Sequence, residues 1–193
     1  MLTEKQKAKV RQVFWPYLCH IYFIDGFDDY YVIKAKIKIN ILPITFNNYL
    51  RVADYREEAR IVEYRNKLMN NEIGFFAEHE GKMVGSAWAS INKTKVSHVV
   101  RTFIKLMPDE ALLHDFFVNE KFRGNRIIPE MVSNMCTILL KEYKLKRLII
   151  DINVKNNKSL NAAKALGWRI RQKMFFLALF GKPVLRIVVK NFT

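Results

Sequence analysis

The 193-residue sequence predicts a single α/β (α+β) domain, a mixed sheet flanked by helices. Three observations carry that expectation. Half of the residues are hydrophobic and 13% are aromatic, ample material for a buried core. The apolar period switches repeatedly between two and about 3.6, so strands and helices alternate along the chain. Only 7 Gly and 5 Pro occur, and no stretch is rich enough in them to read as a linker.

Taken in order, residues 1–12 read as a solvated helix start, with Thr3 placed to cap it. Residues 13–24 are dense in aromatics, either core or a roof over a ligand. Asp25-Gly26 reads as a turn. From Tyr30 to Leu42, Ile33, Ala35, Ile37 and Ile39 alternate with Lys34, Lys36, Lys38 and Asn40, which predicts a half-buried strand. Asn47 or Asn48 could cap a helix reaching about Leu68. Ile73 to Ala77 and Met83 to Ile91 read as strands about a Glu80-Gly81-Lys82 turn. Val96 to Leu106 and Ala111 to Val118 follow as further strands.

Ile127 to Tyr143 carries the clearest helical stripe, with Met131, Val132, Met135 and Leu139 on one side. Leu145 to Ile152 is a buried strand, and Asn157 to Leu166 a short helix that Gly167 ends. Arg169 to Phe180 and Val184 to Val189 close the domain as a hairpin with Gly181-Lys182-Pro183 in its turn. The exposed edge of that hairpin offers a place where two chains could pair as a homodimer.

The formal charge is +15 and is unevenly spread. Basic side chains exceed acidic ones by 3 over residues 1–40, by 1 over 41–110 and by 11 over 111–193. Such a field attracts nucleic acid, anionic membrane or a phosphorylated small molecule. Lys141 to Arg147 is the densest basic stretch, but no nucleic-acid-binding signature accompanies it, so a nucleic-acid partner is not expected. Cys19 and Cys136 form neither a disulfide framework nor a metal-ligand pattern with the four histidines. A reducing, cytoplasmic setting is the simplest expectation. The apolar run Val13 to Ile24 is about half a membrane span and is interrupted by Pro16 and His20. Neither a signal peptide nor a transmembrane helix is expected.

One junction carries chemistry. The strand ending at Val118 runs through Asn119 to Asn125 straight into a helix. The first turn of a helix has amides without partners and the positive end of the dipole, where phosphate oxygens fit. Arg123 and Arg126 add charge, Gly124 lets backbone approach closely, and Pro129 sits where its missing N–H costs little. An anion site between about 122 and 128 follows from the physics; a loop with ordinary solvated arginines is the alternative.

Arg123-Gly124-Asn125-Arg126-Ile127-Ile128 after a strand ending in Val118, with Asn156 and Leu166-Gly167-Trp168 at the right distance beyond, resembles the GNAT (N-acetyltransferase) superfamily. The resemblance implies a mostly antiparallel central sheet, with acetyl-CoA (coenzyme A) as the cofactor and no metal. It implies pantetheine contacts at Phe116, Phe117 and Val118. The diphosphate would lie at Arg123, Gly124, Asn125, Arg126, Ile127 and Ile128, with Asn156 and Ser159 beside the pantetheine arm. The chain departs from the pattern in three ways. Arg126 and Ile128 stand where the pattern has later glycines. Ala163 stands where many relatives carry a Tyr as acid for the leaving thiolate; Tyr143, Tyr22 and Tyr30 are substitutes among which the sequence selects none. Residues 1–36 precede the first expected strand and are taken as an N-terminal extension packed on a single domain spanning 1–193.

His114, four residues before Val118, is the best candidate base, because imidazole titrates near neutrality; a satisfied core histidine is the competing reading. Asp115 is expected on the opposite face of the strand, as a second catalytic candidate or a surface carboxylate. The expected activity is acetyl transfer from acetyl-CoA to a primary amine of a small molecule, an amino sugar being one candidate, by direct attack on the thioester. The alternative is a non-catalytic acyl-CoA-binding or protein-interaction module on the same fold.

Overall fold

The computed structural model describes residues 14–26, 28–100, 104–180 and 182–192. The expected helix start at 1–12 lies outside them. Eight strands make one sheet: β1 (Phe14–Asp25), β2 (Asn40–Ile44), β3 (Ile73–His79), β4 (Lys82–Asn92), β7 (Glu110–Val118), β8 (Arg147–Asn153), β9 (Arg169–Leu179) and β10 (Lys182–Asn191). Their order across the sheet is β10-β9-β1-β8-β7-β4-β3-β2. Only the β7–β8 pair is parallel. A separate hairpin, β5 (His98–Val100) and β6 (Ile104–Leu106), occupies the span expected as one strand.

Neighbouring residues on a strand point to opposite faces, and the sheet uses both. Leu113 and Ile150 join one core with Met131, Val132 and Met135 of α2 (Ile127–Cys136) and Ala163 of α3 (Asn157–Ala165). Their neighbours Leu112 and Ile149 face the other way, into a cluster with Ile104, Leu106 and Phe176. On that second face, beside β3 and β4, Phe76 and Trp88 meet Tyr64 of α1 (Ala59–Met69). The helix expected from Asn48 to Leu68 is thus two pieces, a 3-10 segment Tyr49–Asp54 and α1. Asn48 does not cap forward; its side chain accepts from the Thr45 amide at 2.8 Å. The α2 helix continues past Cys136 as a π-helical segment, Thr137–Glu142. At the end of α3, Gly167 has φ 85, and the amides of Gly167 and Trp168 return to the carbonyls of Lys164 and Ala163, the closure a C-terminal glycine permits.

Three further expectations are revised. Residues 14–25, expected to lie on the domain as an extension, are an interior strand, paired with β8 on one side and β9 on the other. The alternating stretch from Tyr30 joins the sheet only at Asn40. Before that point it is an extended strap. Ile33, Ala35, Ile37 and Ile39 do pack on the core. Their backbone, however, bonds to helix side chains and a loop instead of to a strand. The Ile33 amide donates to Ser133 Oγ at 3.1 Å, that of Ala35 to Glu130 Oε2 at 2.7 Å, and that of Lys36 to the Asn125 carbonyl at 2.8 Å. A period of two reports which side chains are buried, not whether a neighbouring strand exists. The closing turn is also tighter than expected, since Lys182 already pairs with Leu179.

Cys19 and Cys136 are buried, and burial pushes both thiols up to about 12. Among the described residues no group of His, Cys, Asp or Glu could hold a metal ion, and no helix is long and apolar enough to cross a membrane.

Candidate active site

The parallel strands β7 and β8 pair only over Glu110–Leu112 and Arg147–Ile149. Charge pins that end. Arg147 bonds to buried Asp25 and lies 3.5 Å from buried Glu110, and the Asp25 contact, partly offset by desolvation, holds its guanidinium more basic than usual. Beyond Leu112 the strands part. The gap is a cleft of about 570 Å³, lined by His114, Asp115 and Phe116 on one wall and by Ile150, Asp151 and Asn153 on the other. Ile128 and Pro129 of α2, and Asn156, Ser159 and Ala163 at α3, also line it.

A second cavity of about 280 Å³ lies at the tip of α2, lined by Val118, Arg123, Gly124, Arg126 and Ile127. Ile128 and Pro129 border both cavities, so one opens beside the other. The amides of Gly124, Asn125, Arg126, Ile127 and Ile128 have no acceptor among the described residues. These amides are therefore free of competing acceptors among the described residues. Gly124 has φ 87, and a Cβ built on it would meet nothing within 4 Å. Arg126, at a position where the resembled pattern has glycine, adopts φ 59, the left-handed conformation a glycine takes without strain.

Two expected cofactor residues lie elsewhere. Phe117 packs on the opposite face, 5.7 Å from the Tyr55 ring and beneath the Arg56 guanidinium at 4.4 Å. Asn125 lines neither cavity; its side chain donates to the Phe122 carbonyl at 3.1 Å, and its carbonyl holds the strap. Asn156 caps α3, accepting from the Ser159 amide at 3.2 Å.

Asp115 is on the same side of the sheet as His114, not the opposite one. Between the pairs Trp88↔His114 and Ser86↔Phe117, β7 carries an extra residue, and Asp115 sits there with φ 48. This bulge cancels one alternation. It turns the carboxylate to Lys67, in close contact, and to Arg56 at 3.3 Å. Asp115 is thus paired with two cations while still bordering the cleft. Burial pulls the Arg56 guanidinium down, but bonds to Tyr64 and Asp115 outweigh it and leave the group more basic than usual.

His114 is 6% exposed. Its Nε2 lies 2.9 Å from Ser90 Oγ and 2.9 Å from Glu72 Oε2. Neither partner is legible in the sequence: Glu72 is the residue before β3, Ser90 lies on β4, and no spacing links them to His114. Tyr17 was also hidden, within an aromatic run. It is the one tyrosine among the described residues of the cleft, and its hydroxyl donates to Asp151 Oδ2 at 3.1 Å. The three tyrosines weighed from the sequence line no part of the cleft. Tyr22 is buried in the core, Tyr30 bonds to Thr137 Oγ1 at 2.8 Å, and Tyr143 is 43% exposed.

Comparison with known proteins gives a family and a shared fold. The sequence model of the Acetyltransferase (GNAT) family matches residues 41–168. The fold is similar to that of the aminoglycoside N-acetyltransferase AAC(6')-Iy in complex with a CoA bisubstrate analogue, at TM-score 0.54 and 17% identity, over 68% of this chain and 91% of that one. It is similar to a glucosamine N-acetyltransferase region of a fungal multi-domain β-N-acetylglucosaminidase, at TM-score 0.57 and 15% identity, over 79% of this chain and 20% of that one. A tandem GNAT protein of clavulanic acid biosynthesis matches at TM-score 0.56 and 12% identity, over 93% of this chain and 60% of that one. No curated protein matches. With two thirds of its length under the family model, including the splayed strands and the helix tip between them, the chain belongs to the GNAT family of acetyltransferases.

Proposed function

We propose that the protein transfers an acetyl group from acetyl-CoA to a primary amine of a small molecule. The observation that carries this reading is the set of four amides, of Gly124 and of Arg126 to Ile128, that have no acceptor among the described residues and line the cavity beside the cleft between β7 and β8. Those amides suit a diphosphate, with Arg123 and Arg126 adding charge. The cleft suits the pantetheine arm, along Phe116 on one side and Asn156 and Ser159 on the other, with Val118 at the neighbouring cavity. Bound there, acetyl-CoA supplies an acyl group activated as a thioester.

The chain's own part is to hold the amine against that carbonyl and to take its proton. His114 is the base in this reading. The neighbouring Ser90 is not arranged as a nucleophile. In a serine triad the hydroxyl and the carboxylate bind opposite nitrogens of the imidazole, whereas Ser90 and Glu72 share Nε2. That supports direct attack by the amine over an acyl-enzyme. The family's relatives that act on aminoglycosides and glucosamine make amino sugars a sensible first panel of acceptors. A cytoplasmic site of action and self-association through the β10 edge belong to the same proposal.

The test combines saturable acetyl-CoA binding by calorimetry with release of CoA thiol in the presence of amines. His114→Ala should lower turnover about 100-fold while cofactor affinity changes little. Unchanged turnover removes His114 from the mechanism, and absence of acetyl-CoA binding removes the reading as a whole.

A further inference from the structure

The carboxylate of Glu72 is placed to choose the reactive atom of His114. Its Oε2 is buried and has no geometrically regular hydrogen-bond partner. A buried carboxylate oxygen left in that state is costly, so a nearby proton is expected to point at it. His114 Nε2 is within reach of it, at 2.9 Å. Ser90 Oγ, at 2.9 Å, is the regular hydrogen-bond partner of the same nitrogen and can accept that proton together with Glu72. The other ring nitrogen, Nδ1, has no hydrogen-bond partner among the described residues and is not one of their buried unsatisfied atoms, and His114 lines the cleft. Which imidazole nitrogen carries the proton is set by the bond its counterpart makes.

We infer that Glu72 is a positioning residue that holds the Nε2–H tautomer of His114, so that Nδ1 is the atom that takes the amine proton. This rests on the acyl-transfer reading above. As the amine nitrogen bonds to the acyl carbon and the C–S bond breaks, one proton passes from nitrogen to Nδ1. Nε2 keeps its own proton on Glu72, and the imidazolium that forms faces a carboxylate. One proton arrives on the departing sulfur, and the ring returns to neutral by losing the proton it took. Asp115, on the same side of the sheet, does not compete for this role, because Arg56 and Lys67 already occupy it.

The experiment uses the full chain with 15N-labelled histidine and long-range proton–nitrogen correlation spectra, the His114 signals being assigned by their loss in His114→Ala. In the unmutated protein the neutral His114 ring should carry its proton on Nε2. In Glu72→Ala the population should move toward the Nδ1–H form. Glu72→Gln keeps an oxygen that can accept from Nε2–H, so the tautomer should persist. Without the negative charge, turnover should fall about 10- to 100-fold, with acetyl-CoA affinity unchanged. A proton on Nδ1 in the unmutated protein overturns the inference, as does a tautomer that Glu72→Ala leaves in place. Failure of the wider reading looks different: the unmutated protein then transfers no acetyl group to any amine, whatever its tautomer.

Discussion

Gly124 is held at φ 87 by the loop it belongs to, not by crowding, since a side chain there would meet open space. Substitution by valine should therefore fold, at a cost of about 1–2 kcal/mol for a β-branched residue in the left-handed region. It should also weaken CoA binding about 10-fold or more, because the new methyl groups stand among amides reserved for an anion. Calorimetry and thermal unfolding on Gly124→Val separate the two effects. A lower melting point with unaltered affinity would move the diphosphate elsewhere. At this scale the sequence was a good guide to backbone roles and a poor one to side-chain partners. Gly124, Arg126 and Ile127 fall where the strand–loop–helix reading places them, because helix-tip amides follow from chain order alone. Glu72 and Ser90 could not be found that way. They meet His114 only once three separate strands are in register. Asp115 was assigned the wrong side because a single-residue bulge, invisible in the apolar pattern, inverts everything after it.

Among the elements, the strap before β2 shows how an irregular segment can be fixed firmly. Glu130 is 7% exposed and accepts from the Ala35 amide at 2.7 Å and from Lys34 Nζ at 3.1 Å. Replacing it with alanine leaves a partly buried amide without its acceptor, which should cost about 1–3 kcal/mol. Hydrogen exchange at Ala35 and Lys36 should quicken in Glu130→Ala, and the denaturant midpoint should fall. Exchange rates that stay put would mean that apolar packing of Ile33 and Ile37 suffices to hold the strap. The Lys36 amide bonds to the Asn125 carbonyl, so the same segment braces the loop of the anion site from behind. Helix α2 was legible from its stripe, and the end of α3 from Gly167. The strap was read as a strand because burial on alternate residues is identical whether the backbone pairs with a strand or with a helix's polar side chains.

At the level of the whole molecule, β1 is interior, with Cys19, Ile21, Tyr22 and Ile24 in the two cores. Removing residues 1–25 should abolish cooperative unfolding in urea, as β8 and β9 would each lose a neighbour. A truncated chain with the original midpoint would show instead that the sheet closes without it. The sequence disclosed a mixed sheet but not this insertion, because strand order depends on pairings between distant segments, which local periodicity does not encode. The placement bears on how the protein is made. Strand β1 must wait for partners made much later: Asp25 ends against Arg147, 122 residues downstream. At usual rates of translation that is roughly ten seconds during which an aromatic-rich segment has no sheet to join. Closing the sheet around β1 is therefore slow, gated by the arrival of β8 and β9.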